Sequence, residues 1–123
     1  MSQEVLVVED DEQISEILSY RLEIEGYDVT AIGDGDDCWE YLESADELPD
    51  ALLLDIMLPG VNGFGLLRRF EKDDRYDDLP IILISGRGLE DDVVEGFTLG
   101  ADDYVVKPFS PSEVVVRLDR LLQ

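Results

Sequence analysis

The chain has 123 residues, 45% of them hydrophobic, which suffices for one folded domain over residues 1–123 and its core but not for two. Nine basic against thirty-one acidic residues, with no histidine, give a net charge of −22, a surface that repels nucleic acid and anionic lipid. No apolar run approaches the ~18 residues needed to cross a bilayer, so a membrane-spanning helix is excluded as well.

In chain order, short apolar runs alternate with helical patterns. Met1-Ser2-Gln3-Glu4 carries no basic, apolar leader and passes straight into a first strand, Val5-Leu6-Val7-Val8. Ile14, Ile17, Leu18 and Leu22 then recur at helical spacing up to Gly26. A second strand is expected from Tyr27 to Ile32, and a helix marked by Cys38, Trp39, Leu42 and Ala45 follows it. Ala51 to Leu54 form the third strand, with Phe64, Leu67 and Phe70 on the next helix. Ile81 to Ile84 form the fourth, and Val94, Phe97 and Ala101 predict a fourth helix closed by Gly100. Tyr104-Val105-Val106 make the last strand, before a helix marked by Val115, Leu118, Leu121 and Leu122. Pro49, Pro59, Pro80 and Pro108 all fall near strand ends, where chain punctuation belongs. The first, third and fourth runs are apolar throughout, the pattern of central parallel strands covered on both faces. Five such repeats predict an α/β fold, a doubly wound parallel sheet with helices on both sides. In the common strand order 2-1-3-4-5, a ligand crevice opens at the carboxyl ends of strands 1 and 3. Cys38 is the single cysteine, which rules out an internal disulfide and fits a reducing cytoplasm.

Several polar residues stand at those carboxyl ends. Glu9-Asp10-Asp11 follow the first strand; in so acidic a chain such a cluster is ordinarily solvated surface, and only its position at the switch point singles it out. Asp55 follows the third strand, where it is either a loop cap or a buried carboxylate that needs a counter-charge. Facing Glu9 and Asp10 across the crevice, it would form a carboxylate group suited to Mg²⁺, with a backbone carbonyl near Met57 as a further ligand. Lys107 is one of only two lysines and ends the last strand. A snorkelling role is the plain alternative to an ammonium meeting an anionic group such as phosphate. Ser85, at the end of the fourth strand, is a turn former by itself and a donor to a phosphoryl oxygen in this company. Each residue alone carries little; their joint placement carries much.

Val7-Val8-Glu9-Asp10, Leu54-Asp55-Ile56-Met57-Leu58-Pro59-Gly60, Ile84-Ser85 and Tyr104-Val105-Val106-Lys107-Pro108-Phe109 together resemble the response-regulator receiver family of two-component signalling, across essentially the whole chain. The resemblance implies a flavodoxin-like (βα)5 fold and a phosphorylation switch rather than an enzyme. Asp55 would be the phosphoacceptor for a sensor histidine kinase. Asp10 would bind Mg²⁺ directly (Mn²⁺ able to substitute) and Glu9 through water. Lys107 would pair with the phosphoryl group, and its bond to Pro108 would be cis. Ser85 and Tyr104 would be the switch pair, rebalancing the helix 4–strand 5–helix 5 surface toward an output domain or downstream protein. Gly100-Ala101-Asp102-Asp103-Tyr104, Ser110-Pro111, Glu113 and Arg117 resemble receivers joined to winged-helix DNA-binding domains, which dimerise through that surface; Val93 and Glu95 depart from the basic residues common there. Met57 and Arg87 would flank the path of attacking water, and an apolar Met57 implies a long-lived phosphoryl group. The alternative is a pseudo-receiver, a phosphorylation-independent interaction module. An aspartyl-phosphate phosphatase would want a carboxylate where Met57 stands. A flavin carrier would not place Glu9-Asp10-Asp11 in its phosphate loop, and no phosphate-binding Gly-Lys loop occurs. The excess negative charge also predicts dependence on salt and a halophilic source.

Overall fold

The computed structural model describes residues 2–86, 88 and 90–123. Five parallel strands lie in the order β2-β1-β3-β4-β5: β1 Glu4–Val8, β2 Asp28–Ile32, β3 Ala51–Asp55, β4 Ile81–Ser85 and β5 Asp103–Val106. Helices α1 Glu12–Ile24, α2 Gly35–Ser44, α3 Gly63–Glu71, α4 Glu90–Thr98 and α5 Pro111–Leu121 connect or follow them, with a short 3₁₀ turn at Asp74–Tyr76 that the sequence pattern does not announce. The expected alternation and strand order therefore hold, with strand ends shifted by a residue. No helix among the described residues is long and apolar enough to cross a membrane.

Strand alternation divides the core in two. Val5, Val7, Leu53, Ile82, Ile84 and Val105 point to the face covered by α1 and α5, meeting Leu18, Leu22, Val114 and Leu118. Leu6, Val8, Leu52, Leu54 and Leu83 point to the opposite face, against Cys38, Leu42, Phe64, Leu67 and Phe70 of α2 and α3. Every residue of β3 and β4 is buried, and each fully buried aliphatic side chain contributes roughly 1.5–3 kcal/mol of transfer free energy. Side chains fix the helix starts. Asp11 accepts from the N–H groups of Gln13 and Ile14, Asp34 from Asp37, Asn62 from Gly65, and Ser110 from Glu113 ahead of a first-turn Pro111.

One expectation is corrected. Val94, Phe97 and Ala101 mark a fourth helix by their spacing, yet Val94 and Phe97 are 57% and 46% exposed, and Ala101 lies beyond the helix end. The helix instead turns Asp92 and Gly96 inward, because Gly96 lets it sit close against Leu83 and Tyr104. Ile17 of α1 is likewise exposed, whereas Leu18 and Leu22 carry that helix's packing.

Candidate functional site

Parallel strands bring their carboxyl ends to one edge of the sheet, so residues remote in sequence meet there. Asp55 and Ser85 are the last residues of β3 and β4, while Glu9-Asp10 and Lys107 immediately follow β1 and β5. The Lys107 N–H donates to the Ser85 carbonyl at 2.8 Å, which places the lysine directly beside the end of β4. The Lys107–Pro108 peptide bond is cis.

The cluster is unusually buried for its charge. Glu9 is 4% exposed, Asp55 2% and Ser85 fully buried, while Asp10 stays open to solvent. The Lys107 ammonium stands 2.5 Å from Glu9 Oε1 and 2.9 Å from Asp55 Oδ2. The other oxygen of Asp55, Oδ1, accepts the Met57 backbone N–H at 3.0 Å. Carboxylate oxygens of Glu9, Asp10 and Asp55 lie within 4.8 Å of one another.

One ammonium cannot balance three carboxylates. Burial, reinforced by the neighbouring Asp55, pushes the Glu9 carboxyl up to about 8 despite the opposing pull of Lys107. For Lys107, burial works against the charged form, but Asp55 and Glu9 outweigh it and hold the ammonium above its ordinary value. Glu9 touches the lysine yet neither of its oxygens receives a well-directed hydrogen bond. Buried acceptors with spare capacity, an uncompensated negative charge and an all-oxygen donor set fit a hard divalent cation.

The structure thus brings together Glu9, Asp10, Asp55, Met57, Ser85 and Lys107 as the sequence anticipates. Tyr104 lies in β5 with its ring already buried, packed under α4 beside Gly96. Arg87, expected near the water path, lies outside the described residues. On the α4–β5–α5 face, Arg117 donates from Nη1 to both carboxylate oxygens of Asp103 at 2.9 Å and from Nη2 to Glu113 at 3.2 Å within the same chain. Asp102 accepts the Ile81 N–H, and Glu95 pairs with Arg68 of α3. Sequence reasoning missed two supports of the site. The Met57 N–H bond to Asp55 has no side-chain signature. Gly63 is required because a Cβ there would lie 2.7 Å from the Asp55 carbonyl oxygen; its only signal is the Asn62-Gly63 pair ahead of an apolar helix.

The family described as "Response regulator receiver domain" matches residues 5–119. The phosphate regulon transcriptional regulatory protein PhoB of Rhizobium meliloti is 46% identical over 123 residues, 100% of this chain and 53% of that protein. The crystal structure of a putative response regulator from Chloroflexus aurantiacus superposes with a TM-score of 0.91 at 34% identity, covering 99% of this chain and 98% of that one. The response regulator DrrB of Thermotoga maritima, an OmpR/PhoB homolog, superposes with a TM-score of 0.86 at 30% identity, covering 99% of this chain and 53% of its own. The chain spans about half the length of the PhoB regulator it matches.

Proposed function

Given that this chain belongs to the response-regulator receiver family of two-component signalling, we propose that residues 1–123 form one phosphoacceptor domain that switches on phosphorylation of Asp55. The observation that carries this reading is the Lys107 ammonium set between Glu9 and Asp55, at 2.5 and 2.9 Å, in a buried crevice. Asp55 has one oxygen on the Met57 N–H and the other on Lys107, so its carboxylate is oriented before any phosphoryl donor arrives. In the transfer, a carboxylate oxygen forms the new bond to phosphorus as the bond to the kinase imidazole breaks. Lys107 then pairs with the phosphoryl oxygens, and the buried Ser85 hydroxyl supplies a donor from the neighbouring strand end. Glu9, Asp10, Asp55 and the Met57 carbonyl would hold Mg²⁺, or Mn²⁺ in its place, and the ion would supply positive charge to the transferring group.

Placing about two negative charges on Asp55 gives Lys107 and Ser85 a new partner and rebalances α4, β5 and α5 around Tyr104. The phosphoryl donor is a sensor histidine kinase, and an apolar cleft between α1 and the β5–α5 connection, lined by Ile14, Ile17, Pro108 and Phe109, offers it a contact beside the crevice. The recipient of the signal is an output domain or partner protein, and the exposed Val94, Phe97, Val106 and Val116 mark a face for it or for a second copy.

Intact mass after incubation with acetyl phosphate tests the proposal. Wild type gains one phosphoryl group, about 80 Da, only with Mg²⁺, and Asp55→Asn gains none. A folded wild-type protein that gains nothing would instead be a phosphorylation-independent interaction module.

A further inference from the structure

Sulfur is scarce in this chain and unevenly placed. It has two methionines and one cysteine, and Met1 lies outside the described residues. Cys38 is wholly buried on the inner face of α2, and burial pushes its thiol up to about 12, so it presents no thiolate to an oxidant. Met57 is the opposite case. It is 56% exposed, in the turn that follows β3, and its N–H is bonded at 3.0 Å to the Asp55 carboxylate. A thioether needs no ionisation to react, so exposure governs its oxidation. The backbone bond to Asp55 fixes where the Met57 side chain begins, two residues from the phosphoacceptor at the end of β3, and a short flexible stem starting there is within reach of the crevice mouth.

We propose that Met57 is an oxidation site of the phosphoacceptor crevice, where conversion to the sulfoxide by a peroxide shortens the lifetime of the phosphoryl group on Asp55. The inference rests on the reading of Asp55 as phosphoacceptor. In the step itself, a sulfur lone pair attacks one peroxide oxygen; the S–O bond forms, the O–O bond breaks, and water leaves when the oxidant is hydrogen peroxide. The thioether loses two electrons and the peroxide gains them. The product replaces a weak acceptor by a strong one. An apolar side chain keeps water off the face of an aspartyl phosphate, whereas the sulfoxide oxygen accepts a hydrogen bond from water and retains it there for attack on phosphorus. Oxidation leaves the Met57 N–H and carbonyl in place, so phosphoryl uptake persists while its loss accelerates.

The test uses the domain phosphorylated with acetyl phosphate in Mg²⁺, with and without prior hydrogen peroxide, the decay being followed by intact mass. Peptide mapping should find one added oxygen, about 16 Da, on Met57. The decay should quicken about threefold to tenfold, the factor set by one hydrogen bond of ordinary strength. Methionine sulfoxide reductase should restore the slow decay, and Met57→Leu should decay at a rate indifferent to peroxide. Oxygen found elsewhere with Met57 intact, or Met57 sulfoxide with unchanged decay, overturns this inference alone. Failure of the untreated protein to take up phosphoryl overturns the reading of Asp55 and this inference with it.

Discussion

Tyr27 and Tyr76 each donate a phenolic O–H to a carboxylate, at 2.5 Å to Asp119 and to Glu43 respectively. Burial first, and the bonded carboxylate second, raise both phenols above the ordinary tyrosine range. A phenol that holds its proton more tightly when folded stabilises the fold fully below the unfolded-state value, about 10, and that contribution is lost progressively as pH climbs from there through the higher folded-state value. Urea melts at fixed salt should therefore show stability falling above about pH 10, and Tyr27→Phe should reduce the slope. Absorbance titration of the native protein should show a late tyrosinate phase above the ordinary tyrosine range, which Tyr27→Phe and Tyr76→Phe should each reduce. At the crevice, Lys107 serves two buried carboxylates at once. Truncating it to Met leaves both without their ammonium; an Mg²⁺ titration of thermal stability should then show a larger gain for Lys107→Met than for wild type, since the added cation replaces a missing charge as well as occupying its site.

At the level of elements, the segment between β3 and α3 is clamped from two sides. Gly63 passes directly over the end of β3, and Gly35, at the start of α2, donates its N–H to the Pro59 carbonyl at 3.1 Å. A Cβ on Gly35 would come within 1.6 Å of the Val61 carbonyl oxygen, a backbone atom that no rotamer change can move aside. Gly35→Ala should cost about 1–3 kcal/mol in thermal or denaturant melts, the usual range for overpacking, or more if α2 must lift away. Gly33→Ala, two residues earlier with nothing within 4 Å of a new Cβ, should stay within about 0.5–1 kcal/mol of wild type. Arg75 joins the 3₁₀ turn to the end of α2 by donating to the Leu42 and Ala45 carbonyls, which satisfies acceptors that a helix end leaves open. The Arg68–Glu95 pair links α3 to α4 but is largely exposed, so it adds little to stability.

The whole molecule carries a charge of −22 over 123 residues, and most of its carboxylates face solvent. Mutual repulsion of that size weakens the compact state until salt screens it, and the screening length shrinks from about 10 Å at 0.1 M to about 3 Å at 1 M. Melting temperature should accordingly rise steeply with KCl across that interval. An equal melting temperature in low-salt buffer without divalent ions would remove the case for salt adaptation. Mg²⁺ should add a further increment beyond ionic strength alone, reduced in Asp10→Asn, because binding to the folded crevice shifts the equilibrium by mass action.

Much of this architecture was legible beforehand. Apolar runs such as Leu52-Leu53-Leu54 and Ile81-Ile82-Leu83 can only be central strands, and the alternation with helical stripes dictates a parallel sheet whose carboxyl ends share one edge. Glu9, Asp10, Asp55, Ser85 and Lys107 follow from that edge, because each stands at a strand end in the sequence itself. The inward face of α4 is not legible in the sequence because Val94 and Phe97 keep helical spacing whether they meet the core or water; only packing against Leu83 and Tyr104 reveals that Gly96 is the contact. Equally, nothing in the order of residues says that Lys107 chooses Glu9 and Asp55, that the Met57 N–H orients the carboxylate, or that Gly35 must lack a side chain. Periodicity and strand-end chemistry are local properties and are written in the chain. Which donor reaches which acceptor depends on distances between elements, and those exist only once the sheet and its helices have closed.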